Sequence, residues 1–118
     1  MWRMKATVLY NPKCGTCRKV RELLEAQGYA LTLVEYLRVP PSPAELDSIC
    51  EKLGIQPQEL AREKEAEYAP VAASAKTRAQ WLQALHDHPA LIQRPIVIIG
   101  NKAIIPRPPE VLHDFLKN

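Results

Sequence analysis

Cys14-Gly15-Thr16-Cys17 places two thiols three residues apart, and these are the residues of this chain best suited to chemistry. Only the thiolate is a nucleophile, and a free cysteine with a pKa near ~8.5 is mostly thiol at neutral pH. The surroundings must therefore favour the anion. Lys5 to Tyr10 is a strand-like run, Asn11-Pro12 breaks it, and a helical pattern begins near Gly15 or Thr16. Cys14 then stands at a helix start, where unpaired backbone N–H groups and roughly half a positive charge favour an anion. Arg18 and Lys19 fall in the first turn, where cations oppose the helix dipole. They make sense if the Cys14 thiolate, an oxyanion substrate, or both sit at that place.

Cys17 lies one helical turn on, within reach of the Cys14 sulfur for disulfide exchange. Two roles are open to it. It is a resolving thiol, or it is a small buried residue on the apolar face it shares with Val20 and Leu24. A C-x-x-C that opens the helix of a βαβ unit is a redox signal. Its other use, a zinc site, needs two further ligands from Cys50, His86, His88 and His113. Cys50 sits on the apolar face of its own helix, and the histidines lack paired-ligand spacing, so no metal is expected.

The elements that must position this pair follow from periodicity. Cys17, Val20, Leu23, Leu24 and Gln27 share one helical face, Gly28 stops the helix, and Ala30 to Leu37 reads as a second strand. Strand, helix and strand within roughly 35 residues form a right-handed parallel βαβ unit. A helical middle follows. Ser42-Pro43-Ala44-Glu45 is a capping box, Leu46, Ile49, Cys50 and Leu53 follow at helical spacing, and Gly54 closes that helix. A shorter helix is expected after Pro57, carrying Leu60, Ala61 and Arg62. Another starts at Thr77, where Thr77-x-x-Gln80 is a second capping box, buries Trp81, Leu82 and Leu85, and stops before Pro89. Ile96 to Ile99, Gly100-Asn101 and Lys102 to Ile105 read as a β-hairpin with a two-residue turn. A last helix carries Val111, Leu112, Phe115 and Leu116. Patterning alone gives an α/β fold, ordered β-α-β, helical insertion, β-β-α.

The bulk properties narrow the classes. The 118 residues suit one domain, with a helical insertion over about 42–90. Hydrophobic residues make up 47% and charged residues 25%, as in ordinary globular proteins. The longest apolar run, Pro95 to Ile99, is too short for a membrane span. The start, Met1 to Lys5, lacks a signal-peptide pattern, so a cytoplasmic, reducing setting is expected. Three cysteines fit poorly with a structural disulfide framework. A net charge of +3 suits small anionic ligands and argues for no nucleic acid. The chain is expected to be a monomer.

Tyr10-Asn11-Pro12-Lys13-Cys14-Gly15-Thr16-Cys17-Arg18 resembles the Asn-Pro-x-Cys-x-x-x-Arg signature of the glutaredoxin-coupled arsenate reductases, the ArsC family. Leu60-Ala61-Arg62, His88-Pro89, Gln93-Arg94-Pro95-Ile96-Val97 and Arg107-Pro108-Pro109-Glu110-Val111 look like further blocks of that family in its order, so the resemblance spans nearly the whole chain. It implies a thioredoxin-like fold with a central mixed sheet. It implies that Cys14 attacks arsenate and that Arg62, Arg94 and Arg107 hold the oxyanion. Asn11, Gly15, Thr16 and Arg18 would bind substrate and stabilise the thiolate, and Pro95 would be the cis-proline before the third strand. Glutathione as co-substrate, with glutaredoxin or a thioredoxin-type reductant, would complete the reduction to arsenite, and no bound cofactor is implied. The arginines fit this chemistry on their own terms, because guanidinium presents a donor fork matched to tetrahedral oxyanions.

Two positions depart from the family pattern. Tyr10 stands where the family often has histidine, and Cys17 where it often has serine. Spx-type regulators, a related branch, also carry C-x-x-C and resemble this chain at the N-terminus and at Arg94-Pro95. They generally lack an arginine like Arg107, so Arg107-Pro108-Pro109-Glu110 favours the reductase side. The alternatives are a redox-sensing regulator that binds a protein partner through a Cys14–Cys17 switch, and a general dithiol–disulfide oxidoreductase.

Overall fold

The computed structural model describes residues 4–117. The chain divides into two compact units, one from its two ends, up to Glu35 and from Arg94 onward, the other from Tyr36 to Gln93.

The first unit holds strand β1 (Lys5–Tyr10), helix α1 (Gly15–Ala26) and strand β2 (Ala30–Glu35). β1 and β2 pair in parallel, from Lys5 opposite Ala30 to Tyr10 opposite Glu35. β2 stops two residues short of the expected Leu37, because β1 ends at Tyr10 and Asn11-Pro12 offers nothing further to pair with. Ile96–Ile99 and Lys102–Ile104 are two further strands of this sheet, joined by a hairpin. The sheet runs β2, β1, Ile96–Ile99, Lys102–Ile104, with the Ile96–Ile99 strand antiparallel to β1. Gly100 takes φ 62 in the hairpin turn, and no other residue type has positive φ among the described residues. That fits a type II′ turn, in which only the first central residue needs the left-handed region. The terminal helix spans Val111–Lys117.

Alternation builds the core of this unit. Ala6 and Val8 lie on one face of β1, being two residues apart. They pack with Val97, with Val20 and Leu24 of α1, and with Leu112 of the terminal helix, each at most 2% exposed. A β-α-β half joined to a β-β-α half on one mixed sheet is the thioredoxin-like arrangement, and it places the β1–α1 junction, with Cys14, at one end of the sheet.

The second unit is helical: α2 (Pro43–Leu53), α3 (Tyr68–Ser74) and α4 (Arg78–Asp87), with short 3-10 turns at Pro57–Leu60 and Pro89–Leu91. In chain order the two later strands are β3 (Ile96–Ile99) and β4 (Lys102–Ile104), and the terminal helix is α5 (Val111–Lys117). Both expected capping boxes form. Glu45 N–H donates to Ser42 Oγ at 3.1 Å while Ser42 N–H donates to Glu45 Oε1 at 3.0 Å. Gln80 N–H donates to Thr77 Oγ1 at 3.2 Å, and Thr77 N–H to Gln80 Oε1 at 3.1 Å. Leu46, Ile49 and Cys50 of α2 and Trp81, Leu82 and Leu85 of α4 are buried.

Two expectations change here. The helix expected to carry Leu60, Ala61 and Arg62 ends at Leu60. Ala61 is extended (φ −84, ψ 138) and makes an antiparallel bridge with Ile92. Arg62 N–H donates to the Leu91 carbonyl at 2.6 Å and Gln93 N–H to the Leu60 carbonyl at 2.9 Å, so long-range pairing takes the Arg62 donor and the Leu60 acceptor that a longer helix would have used. Helix α3 was not expected. It buries Val71 alone and carries Pro70 in its first turn, so it has almost no periodic signal. No helix among the described residues is long and apolar enough to cross a membrane.

Candidate functional site

Cys14 is the N-cap residue of α1, with extended backbone (φ −92, ψ 121). The loop before it is fastened by Asn11. Its carbonyl accepts Cys14 N–H at 2.9 Å, and its side-chain Oδ1 accepts Lys13 N–H at 3.0 Å. This Asx turn replaces the strand ladder once Pro12 has ended it. Arg18 N–H then donates to the Cys14 carbonyl at 3.2 Å and starts the helix. The sequence thus sets the sulfur at the helix start, partly exposed, beside the first free amides.

The Cys14 sulfur makes no short capping bond of the kind Ser42 makes, since sulfur is a weaker and larger acceptor. Its environment still favours the thiolate. Burial pushes its pKa up, but the N–H of Cys17, the Cys17 thiol, the Arg94 guanidinium and the N–H of Thr16 together outweigh it and bring it down to about 7. Cys17 behaves in the opposite way. It is fully buried, and burial, aided by the neighbouring Cys14, pushes its pKa up to about 11 against the pull of the Asn11 amide and Arg94. One sulfur is poised to be an anion and its neighbour to be a proton donor. Both are free thiols.

Arg94 comes to this place through β3. It is half-buried and is followed by buried Pro95 and Ile96. The Arg94–Pro95 peptide is cis, the isomer expected at that proline, and a second cis bond lies at Arg107–Pro108. Arg107 is exposed in the β4–α5 loop, and its Nη1 donates to the Arg94 carbonyl at 2.5 Å. The first unit therefore brings together Cys14, Cys17, Arg94 and Arg107. Arg18 projects from the first turn of α1 and is exposed. Gly15 is exposed, and a Cβ there would meet no atom within 4 Å, so the approach beside Cys14 is open.

Arg62 belongs to the second unit. Its Nη1 pairs with Glu65 Oε1 at 2.7 Å, and both side chains are about one-quarter to one-third exposed (26% and 34%). With Gln58, Lys64 and Gln93 it lines a cleft of about 480 Å³. Sequence reasoning missed Glu65, although the Arg62-x-x-Glu65 spacing was there to suggest it. Among the described residues, no cluster of three or more His, Cys, Asp or Glu side chains could hold a metal ion.

This geometry can be set beside known proteins. The ArsC family pattern matches residues 9–115. The chain is 36% identical over 115 residues to an arsenate reductase of Rhizobium meliloti, covering 96% of this chain and 82% of that protein. It is 38% identical over 112 residues to an uncharacterised protein in the glnII region of Streptomyces viridochromogenes, covering 90% and 94% of the two chains. The solved structure of an arsenate reductase from Vibrio cholerae superposes with a TM-score of 0.89 at 34% identity, over 96% of this chain and 98% of that one. Sequence pattern, relatives and fold agree that this chain belongs to the ArsC family.

Proposed function

We propose that this protein is an oxidoreductase that reduces arsenate, or a closely related oxyanion, with Cys14 as nucleophile and small or protein thiols as the source of electrons. The observation that carries this reading is the Cys14 sulfur at the start of α1, held near a pKa of about 7 with the Arg94 guanidinium donating to it. A sulfur of that kind is substantially thiolate at neutral pH and sits where an anionic substrate is welcome.

The chemistry balances simply. The Cys14 thiolate attacks arsenic and water leaves, forming a sulfur–arsenic(V) bond. A second thiol then attacks the Cys14 sulfur. A disulfide forms, the sulfur–arsenic bond breaks with its electron pair going to arsenic, and arsenite departs. Arsenate gains two electrons, two thiols lose them, and one water is released. Arg94 and Arg107 of the first unit, carried over from the family resemblance, hold the oxyanion charge by forked hydrogen bonds, and Arg18 adds positive charge at the same helix start. That second thiol is either glutathione, with glutaredoxin then reducing what remains on Cys14, or Cys17 of the chain itself.

The test is steady-state arsenate reduction by purified protein with glutathione, glutaredoxin and a coupled reductase, alongside Cys14→Ser. Turnover that disappears in the variant supports the reading. Full activity in Cys14→Ser would end it.

The contact between the Cys14 and Cys17 side chains favours a second reading, a dithiol–disulfide oxidoreductase acting on protein disulfides. Reduction of insulin disulfides without any effect of arsenate separates the two.

A further inference from the structure

We propose that Cys17 is the resolving thiol of this enzyme, so that arsenite leaves as a Cys14–Cys17 disulfide forms and the reductant this protein needs is a dithiol rather than glutathione. The inference rests on the reading of Cys14 as the nucleophile on an oxyanion.

The geometry carries it. Cys14 is the N-cap of α1 and Cys17 the third residue of the helix, so the amide of residue 17 lies over the N-cap side chain. That amide and the Cys17 thiol both act on the Cys14 sulfur, which puts the two sulfurs side by side with both in the reduced state. An incoming glutathione has to be bound and oriented. Cys17 is already there, and a thiol fixed next to its target has the advantage of an intramolecular reaction. Cys17 is wholly buried, so its exposed reaction partner is Cys14 alone. A buried thiol there is shielded from capture by other oxidants while the Cys14 sulfur remains open to substrate.

The ionisation pattern agrees with the order of steps. With Cys14 as an anion, Cys17 is kept protonated. Once Cys14 is bonded to arsenic its negative charge at that sulfur is gone, and the Cys14 contribution that raised the Cys17 pKa goes with it. The Cys17 proton passes to an oxygen of the arsenic adduct or to water. The Cys17 sulfur attacks the Cys14 sulfur, the disulfide forms, and arsenic leaves with the electron pair as arsenite. An external dithiol, of the thioredoxin type or dithiothreitol, then reduces the disulfide by exchange. The third cysteine takes no part. Cys50 is fully buried in α2, and burial pushes its pKa up to about 11.

The experiment is a single turnover without external thiol. Pre-reduced, desalted protein is mixed with arsenate, arsenite is measured, and free thiols are counted after denaturation. The expected result is stoichiometric arsenite, a fall from three free thiols to the single thiol of Cys50, and a Cys14–Cys17 disulfide in the peptide map. Cys17→Ala and Cys17→Ser should lose this burst, yet still turn over when glutathione and glutaredoxin are supplied. The wild-type thiol count needs no variant, so a poorly folded variant does not spoil the test. Wild type that gives no burst but turns over with glutathione and glutaredoxin overturns the role of Cys17 and leaves Cys14 as nucleophile. Wild type inert with dithiothreitol and with glutathione and glutaredoxin overturns the oxyanion reading, and the role of Cys17 falls with it.

Discussion

Arg107 reaches across thirteen residues of sequence to donate its Nη1 hydrogen to the carbonyl of Arg94, at 2.5 Å. The acceptor is the residue that itself donates to the Cys14 sulfur. A guanidinium has five N–H donors in a rigid fork, so Arg107 can hold that carbonyl and still present donors to an anion. The β4–α5 loop is thereby tied to the start of β3.

The first prediction follows from that tie. Arg107 is exposed, so removing the bond should cost little stability, about 0.5–1.5 kcal/mol at most. Arg107→Ala should nevertheless lower kcat/KM for arsenate by about 10–100-fold, the loss of one or two charge-assisted hydrogen bonds to the oxyanion. Arg107→Lys should recover only a small part, because an ammonium cannot make both bonds at once. A kcat/KM unchanged in Arg107→Ala would remove Arg107 from the oxyanion site.

The two capping boxes make a second prediction, about stability alone. Ser42 and Thr77 each accept the N–H of the third helical residue while Glu45 and Gln80 reach back. Ser42→Ala and Thr77→Ala should each cost about 1 kcal/mol in chemical denaturation. Ser42→Asp should cost much less, because it restores a capping oxygen. Equal losses in Ser42→Ala and Ser42→Asp would mean that the hydroxyl has some other role.

A third prediction concerns the helix that carries the cysteines. Leu24 of α1 is fully buried in the cluster with Ala6, Val8 and Val97. Leu24→Ala should cost about 2–5 kcal/mol through lost burial and the cavity left behind. Leu23, only partly buried beside the same cluster, should cost clearly less as Leu23→Ala. Thermal melts of the pair check the order.

Much of this fold is legible in the residues. Cys17, Val20 and Leu24 announce the buried face of α1, Asn11-Pro12 the end of β1, and Ser42-x-x-Glu45 and Thr77-x-x-Gln80 the starts of two helices, because each is a local rule acting within one turn. The place of Cys14 at the start of α1 is legible for the same reason. What is not legible depends on distant pairing. Nothing in Leu60-Ala61-Arg62 shows that Ala61 will bridge Ile92, and the helical pattern fails there against a bridge to a residue distant in sequence. Helix α3 buries one side chain and so leaves no stripe to read. The Arg107–Arg94 bond is invisible because it needs the fold to exist first.

The last prediction is the pH profile of Cys14. Its pKa is lowered to about 7, so the thiolate fraction rises with pH through 7. The rate of alkylation by iodoacetamide should rise through that pH and level off above about 8, where an ordinary cysteine is still mostly protonated. The sign of each variant follows from which form it had favoured. The Cys17 thiol and the Arg94 guanidinium both donate to the anion, so their loss must raise the midpoint. Cys17→Ala and Arg94→Ala should each move it toward the ordinary range, with Cys17→Ala the larger because the thiol is the stronger of the two influences. The amide of residue 17 survives that substitution, so the midpoint should stay below the ordinary value. Cys50 is buried and should remain unlabelled throughout, which mass spectrometry of the alkylated peptides checks directly. An Arg94→Ala profile that overlays the wild type would show that the helix start and the Cys17 thiol hold the Cys14 thiolate without help from Arg94.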